Sequence, residues 1–185
     1  NNDEVIVPAM THVATAHAVE HLGAKPIFVD VLEETGCISP DGIEKAITKK
    51  TKAIIPVHFV GLPCEMDKIS HIARKFDLKI IEDSATALGA SFDNIKTGGL
   101  GTIGCFSFYP TKHITSMEGG MAVTNDEKLA LKISKKRAFG YNKNLNERAV
   151  PGLYDVDMLG WNYRMSEGHA AIGLVQLSRL NNFLK

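Results

Sequence analysis

The sequence has few cysteines, no excess of charge of either sign and no long apolar run. Its three cysteines (Cys37, Cys64 and Cys105) are an odd number without C-x-x-C spacing, which argues against a disulfide framework and a zinc knuckle. Lys and Arg total 21, as do Asp and Glu, so no net charge favours a nucleic acid or an anionic membrane as partner. No stretch approaches the roughly 20 apolar residues of a transmembrane helix. We therefore expect a soluble, cytoplasmic protein.

The chain is long enough to form a hydrophobic core. It has 185 residues, of which 44% are hydrophobic, and at this length a folded chain buries about 70% of its unfolded surface. We expect one domain over residues 1–185. The chain begins with Asn1 instead of Met and ends within a helical pattern, so we also expect it to be a segment of a longer protein.

Apolar runs of strand length alternate with segments of helical period, which predicts an α/β fold with a parallel sheet. The predicted strands are residues 5–7, 26–30, 53–57, 78–81 (followed by Glu82 and Asp83), 103–108 and 121–124. The predicted helices are residues 11–22, 41–49, 67–76, 127–139 and 166–184, the last with one broad apolar face. Residues 142–157 are polar and irregular and are predicted to form a loop.

Several polar residues follow predicted strands, where open α/β sheets bind their ligands. They are Thr11 with His12, His58, Asp83 and the run from Ser107 to Lys112. Each has an ordinary alternative: Asp83 could cap the next turn, Lys112 could be a solvated loop lysine, and His58 is expected to be a structural histidine. Only the combination indicates a site.

Two motifs carry a resemblance to a known family. The sequence SFYPTKHITSMEGG over 107–120, preceded by IEDSATALG over 81–89, resembles the sugar-nucleotide aminotransferases of the DegT/DnrJ/StrS type. Further matches, such as PVH at 56–58 and GWNYRMS at 160–166, extend the resemblance over essentially the whole chain. It implies a pyridoxal-phosphate (PLP) enzyme of the aspartate-aminotransferase fold, in which this chain is the three-layer α/β/α large domain around a mostly parallel sheet. The family's upstream phosphate-binding turn and C-terminal small domain would lie outside the chain.

The resemblance also implies roles for three residues. Lys112 matches the lysine that forms a Schiff base with PLP and then moves the proton of the reaction. Asp83 matches the carboxylate that pairs with the pyridinium nitrogen of the cofactor. Ser107 matches a hydroxyl that binds the cofactor phosphate. Glu118 is not expected to be catalytic, and the glycines after it are expected to let the backbone turn close to the Lys112 loop.

Four more positions match the family's cofactor contacts less closely. His12 stands where the family usually places an aromatic ring stacked on the pyridine. Thr86 stands where Gln is common, and Thr reaches less far toward the phenolic oxygen of the ring. Asn162 and Arg164 lie in a motif that reaches across a dimer interface toward the partner's cofactor phosphate, and which of the two makes the contact stays open.

The implied function is the transfer of an amino group, from L-glutamate, to a nucleotide-linked keto-deoxysugar by way of pyridoxamine phosphate (PMP). Polysaccharide or antibiotic-sugar biosynthesis would be the pathway, and a homodimer the assembly. Some relatives replace the Schiff-base lysine by His and use PMP for sugar 3-dehydration. Counting forward from Ser107 and back from the Glu-Gly-Gly of residues 118–120 places Lys112, not His113, at the position of the Schiff-base lysine.

A remote alternative comes from helix 11–22. His17, Glu20 and His21 form an H-x-x-E-H pattern, which on a helix brings two imidazoles one turn apart, as in some zinc hydrolases. The sequence offers no evident third ligand, and patterns this short arise easily by chance.

Overall fold

The computed structural model describes residues 2–142 and 149–185 and contains a central sheet of six strands. In sheet order these are β2 (Lys25–Val29), β1 (Glu4–Pro8), β3 (Thr51–Ile54), β4 (Lys79–Asp83), β7 (Ile103–Ser107) and β8 (Gly120–Val123). A hairpin forms a second, two-stranded sheet from β5 (Ser91–Phe92) and β6 (Ile95–Lys96). The helices are α1 (Ala14–Glu20), α2 (Pro40–Ala46), α3 (Met66–Lys75), α4 (Glu127–Arg137), α5 (Glu167–Ser178) and α6 (Leu180–Phe183), with a 3-10 turn at Phe59–Gly61.

Five of the six strands run parallel, which confirms the predicted α/β class. The exception is β8, which pairs antiparallel with β7. Because parallel strands share a direction, β1, β3, β4 and β7 all end at the same edge of the sheet. Asp83 and Ser107 are the last residues of β4 and β7, so the site predicted from the sequence lies at this edge.

Helices cover both faces of the sheet. Ile6, Ile54 and Ile80 project to one face and pack with buried residues of α2 and α3 in the main hydrophobic core. The alternate residues Val7 and Ile55 form a smaller cluster with Val19 of α1. The alternation follows from the period of two of a β-strand, and it gives the predicted three-layer α/β/α arrangement.

Several predicted boundaries were wrong by a few residues, with identifiable causes. Strand β3 ends at Ile54 instead of residue 57, and Pro56 has no N–H with which to continue the ladder. The predicted helix 166–184 is interrupted at Arg179, where the Ser178 hydroxyl donates to the carbonyl of Val175 and competes with the helical bond.

Two further expectations concern the second half of the chain, and a third concerns all the described helices. Helix α5 has no buried residue, and Leu174, on its predicted apolar face, is 68% exposed. The predicted loop 142–157 falls partly outside the described residues, at 143–148, and its described end pairs with Tyr141 through Val156. Within the described ranges, no helix is both long enough and apolar enough to cross a membrane.

Candidate active site

Asp83 ends β4 with its carboxylate toward the start of α1. Thr15 Oγ1 donates a hydrogen bond to Asp83 Oδ2 at 2.9 Å, and the backbone N–H of Ala85 donates to Oδ1 at 3.1 Å. The Thr15 hydroxyl also lies 3.2 Å from that of Thr11. A carboxylate offers about four acceptor positions, so these two donors orient Asp83 and leave each oxygen able to accept another hydrogen bond.

Ser107 lies on the same sheet face as Asp83. In the parallel register Asp83 is opposite Cys105, and Ser107 is two residues further along β7, so all three side chains project to one face. Burial raises the pKa of the Cys105 thiol, and the negative charges of Asp83 and Glu82 raise it further. Cys105 is therefore a neutral thiol beneath the site.

Lys112 lies in a loop whose base is closed by hydrogen bonds. Phe108 N donates to the carbonyl of Gly119 at 2.9 Å, and the carbonyl of Phe108 accepts from Ser116 N at 3.0 Å and from Thr115 Oγ1 at 2.9 Å. A Cβ at the neighbouring Gly120 would lie 2.6 Å from the carbonyl oxygen of Phe106, so only glycine fits there. The loop is thereby held against the ends of β7 and β8.

The loop leaves two polar groups free for a ligand. Ser107 Oγ accepts from the backbone N–H of Tyr109 at 3.3 Å, which does not use the hydroxyl proton. Lys112 is half-buried, and its ammonium group has neither an ion pair nor a hydrogen bond within the described part of the chain. An amine, a hydroxyl donor and a carboxylate with spare acceptor positions match the aldehyde, the phosphate and the protonated ring nitrogen of PLP. The residues present thus fit this cofactor.

The opposite face of the same sheet edge holds a buried pair. His58 and Glu82 are both 0% exposed, and His58 Nε2 lies 2.9 Å from Glu82 Oε2. The backbone N–H of Cys64 donates to the other ring nitrogen, Nδ1, at 3.1 Å. Both ring nitrogens of His58 are therefore satisfied, which confirms the prediction of a structural histidine.

His12 and Thr86, both predicted to contact the cofactor ring, each make a hydrogen bond within the chain. His12 is exposed and its Nδ1 accepts from the N–H of Ala14, so the imidazole caps the start of α1. Thr86 Oγ1 donates to the carbonyl of His58 at 3.0 Å. The proton of the Thr86 hydroxyl is thus engaged, and the hydroxyl can offer only its lone pairs to a ligand.

Asn162 and Arg164 contact each other and not the residues above. Arg164 Nε donates to Asn162 Oδ1 at 3.0 Å, and the guanidinium lies over the ring of Phe139 at 5.1 Å from its centroid. Both residues are exposed. No hydrogen bond among the described residues joins them to Asp83 or Ser107, so any cofactor contact of theirs stays a prediction.

The zinc alternative finds no geometry to support it. The rings of His17 and His21 are edge-on, with centroids 6.5 Å apart. In residues 2–142 and 149–185, no three His, Cys, Asp or Glu side chains come together as a possible metal site. Among these residues the His17 and His21 pattern therefore has no third ligand in space.

Two residues of this edge were missed by sequence reasoning. Thr15 is the donor that orients Asp83, and Glu82 is the partner of His58. The spacing of Thr11 and Thr15, one helical turn apart beside a strand end, was a signal that could have identified Thr15. Glu82 offered no such signal, since only its place in the strand next to Asp83 was readable.

Comparison with known proteins gives the same fold and the same family over nearly the whole chain. GDP-perosamine synthase of Caulobacter vibrioides is 43% identical over 182 residues, which are 98% of this chain and 47% of that protein. A putative sugar aminotransferase of Streptococcus pneumoniae, solved in its PMP form, is 32% identical with a TM-score of 0.90, over 98% of this chain and 51% of that one. A GDP-4-keto-6-deoxymannose-3-dehydratase variant with bound GDP-perosamine is 32% identical with a TM-score of 0.91, over 100% of this chain and 50% of that one.

The chain spans about half the length of the curated relatives that it matches. The model of the DegT/DnrJ/EryC1/StrS aminotransferase family matches residues 1–185, and aminotransferases of this family use PLP. With its parallel sheet and the motifs around Asp83 and Lys112, this chain belongs to the DegT/DnrJ/EryC1/StrS aminotransferase family.

Proposed function

We propose that the full-length protein is a PLP-dependent aminotransferase that moves an amino group to a nucleotide-linked keto-deoxysugar. The observations that carry the proposal are the Asp83 carboxylate and the Ser107 hydroxyl at the ends of β4 and β7, and Lys112, unpaired among the described residues, in the loop that follows β7. PLP, when bound, supplies an electron sink for the carbanion at the substrate carbon. The similarity to a GDP-perosamine synthase supports a nucleotide sugar as the acceptor class.

Each residue has a role that its surroundings support. The Lys112 amine would hold the cofactor through its aldehyde and would move the proton of the transfer reaction. Asp83, oriented by Thr15, accepts a hydrogen bond from the protonated ring nitrogen and holds that proton in place. The Ser107 hydroxyl donates to the phosphate from the same segment that carries Lys112, so the cofactor is held at both ends.

A PMP-dependent sugar 3-dehydratase is the second candidate. The fold similarity to a 3-dehydratase favours it, and the protein has a histidine, His113, beside Lys112. Lys112 is half-buried on the loop whereas His113 is exposed, which favours the amine over the imidazole as the group that meets the cofactor. This difference supports transamination over dehydration.

The remaining predictions concern the whole protein and its setting. L-Glutamate as donor, a homodimer completed by the Asn162 and Arg164 segment, polysaccharide biosynthesis and a cytoplasmic location are all part of the proposal. His12 as the stacking group and Thr86 as a ring contact are also part of it. Their support is the resemblance of the motifs, together with the exposure of Asn162 and Arg164 in the isolated chain.

The experiment is a product analysis with the full-length protein, PLP, L-glutamate and a GDP-linked 4-keto-6-deoxyhexose. We expect 2-oxoglutarate and an amino sugar nucleotide in equal amounts, identified by mass spectrometry. Lys112→Ala should abolish both products, while His113→Ala, its exposed neighbour, should retain them. A sugar nucleotide whose 3-hydroxyl is replaced by hydrogen, with the amino group released as ammonia and none left on the sugar, would establish the dehydratase instead.

A further inference from the structure

The His58–Glu82 pair lies directly behind the proposed cofactor site, on the opposite face of the sheet. Because Cys64 N–H donates to His58 Nδ1, that nitrogen carries no proton. The proton of the neutral imidazole is then on Nε2, which donates to the Glu82 carboxylate at 2.9 Å. The contacts of the protein thus fix both the ring orientation and the tautomer of His58.

The Glu82 carboxylate connects three segments of the chain. Besides His58, its oxygens accept hydrogen bonds from the backbone N–H groups of Gly98 at 2.7 Å, Leu100 at 2.7 Å and Gly101 at 2.6 Å. Four donors fill the acceptor positions of a carboxylate. Burial raises the pKa of Glu82, but the hydrogen bonds from His58, Gly98 and Gly101 lower it by more. The pKa of Glu82 is therefore below its ordinary value. Glu82 is therefore an ionised, fully bonded anchor.

Two of these segments lead to proposed cofactor ligands. Glu82 immediately precedes Asp83, and the segment from Gly98 to Gly101 leads into β7, which ends at Ser107. The third segment contacts Asp83 through its backbone, since His58 N donates to the carbonyl of Asp83 at 3.1 Å. The carbonyl of His58 also accepts the Thr86 hydroxyl at 3.0 Å. We therefore expect a change in the position of His58 to shift Asp83 and Thr86.

We propose that His58 is a positioning residue for the cofactor. Acting through Glu82, it sets the place of the Asp83 carboxylate relative to Ser107 and Lys112 without touching the cofactor itself. The inference rests on the proposed function and deepens it, since it assigns the buried pair to the same site. Outer partners of metal ligands show the same kind of effect, where their loss weakens binding by about 10–100-fold.

Two substitutions of His58 separate its two hydrogen bonds. In His58→Gln the amide nitrogen replaces Nε2 and can donate to Glu82, whereas the bond from Cys64 N–H is lost. In His58→Asn the amide oxygen replaces Nδ1 and keeps the bond from Cys64, but the side chain is too short to reach Glu82. We expect His58→Asn to raise the dissociation constant of the full-length apoprotein for PLP about tenfold or more. His58→Gln should stay within about threefold of the unmodified protein.

Visible circular dichroism of bound PLP gives a second readout, because it reports the orientation of the cofactor. The spectrum should change in His58→Asn and be retained in His58→Gln. Ile69→Val is the matched control, because Ile69 is fully buried in the same core and takes no part in these hydrogen bonds. It should lower the melting temperature without changing PLP affinity or the spectrum.

The outcomes are distinguishable. PLP affinity of His58→Asn equal to that of the unmodified protein, or losses in all three variants that simply follow their melting temperatures, would overturn the inference. Failure of the unmodified protein to bind PLP would overturn the proposed function instead. Should His58→Asn not fold, the imidazole ¹⁵N–¹H resonance of His58 in the unmodified protein decides: it should shift when PLP is added, and an unchanged resonance contradicts the inference.

Discussion

Glu82 and Asp83 are neighbouring carboxylates with opposite surroundings. Glu82 is fully buried and accepts four hydrogen bonds, from His58 and three backbone N–H groups. Asp83 is half-buried on the other face and accepts two, from Thr15 and from the N–H of Ala85. The period of two of a strand separates them. A carboxylate with all its acceptor positions filled fixes the backbone, while one with free positions can bind a ligand.

The largest expected effect on stability comes from Glu82→Gln. In either orientation the amide NH2 of Gln would face two donors, either His58 Nε2–H with Gly98 N–H or Leu100 N–H with Gly101 N–H. Breaking a buried charged network in this way costs about 3–5 kcal/mol of the free energy of unfolding. Urea unfolding of the full-length protein measures it. A loss below about 1 kcal/mol would show that Glu82 is not an anchor.

Asp83→Asn is expected to do the reverse, with little change in stability and a large change in activity. Asn keeps an acceptor for Ala85 N–H, and the Thr15 hydroxyl can rotate to accept from the amide, so stability should change by about 1 kcal/mol or less. Losing the charge that faces the ring nitrogen should lower kcat/KM about 10²–10³-fold. The same urea titration together with steady-state kinetics tests both halves. An active but unstable variant would contradict the comparison.

Lowering the pH should lower the free energy of unfolding, because Glu82 becomes protonated. The folded-state pKa of Glu82 is lowered from its ordinary value of 4.5, so the group stabilises the fold above about pH 4.5, and this stability is lost as the pH falls through the folded pKa. The slope for one such group reaches about 1.4 kcal/mol per pH unit. Unfolding free energies measured between pH 6 and pH 3 should show this slope only below about pH 4.5. Glu82→Gln should flatten it, and an equal slope in the variant would count against the assignment.

Thr15→Val gives the smallest expected effect. Val is close to Thr in shape but lacks the hydroxyl that donates to Asp83 Oδ2, so one hydrogen bond of about 1–1.5 kcal/mol is lost. We expect PLP affinity to fall about fivefold to tenfold. Thr15→Ser, which retains the hydroxyl, should bind PLP as the unmodified protein does. Equal affinities in the Val and Ser variants would remove Thr15 from the site.

The sequence predicted the face with Asp83 and Ser107 better than the buried face with Glu82. Asp83 and Ser107 were placed correctly because strand ends can be read from apolar runs, and parallel strands end at one edge. The fourfold-bonded Glu82 could not be predicted, since its partners are 16 to 24 residues away in the chain. Such contacts depend on how the loops pack and not on local periodicity.

Two local features show where pattern reading fails. The β5–β6 hairpin was not predicted, because each strand has only two residues, although the left-handed Asp93 and Asn94 between them are typical hairpin-turn residues. The antiparallel direction of β8 was also missed, since a strand's apolar pattern does not encode its direction. Thr86, by contrast, was identified as a departure from the family pattern, and its hydroxyl proton is in fact engaged by His58.

Chemical trapping of the cofactor shows directly whether Lys112 is the residue that binds it. The full-length protein is incubated with PLP, reduced with borohydride and digested, and the peptides are mapped by mass spectrometry. We expect a pyridoxyl group on Lys112 and none in Lys112→Ala. A folded protein that carries the label on another lysine, or no label, would contradict it.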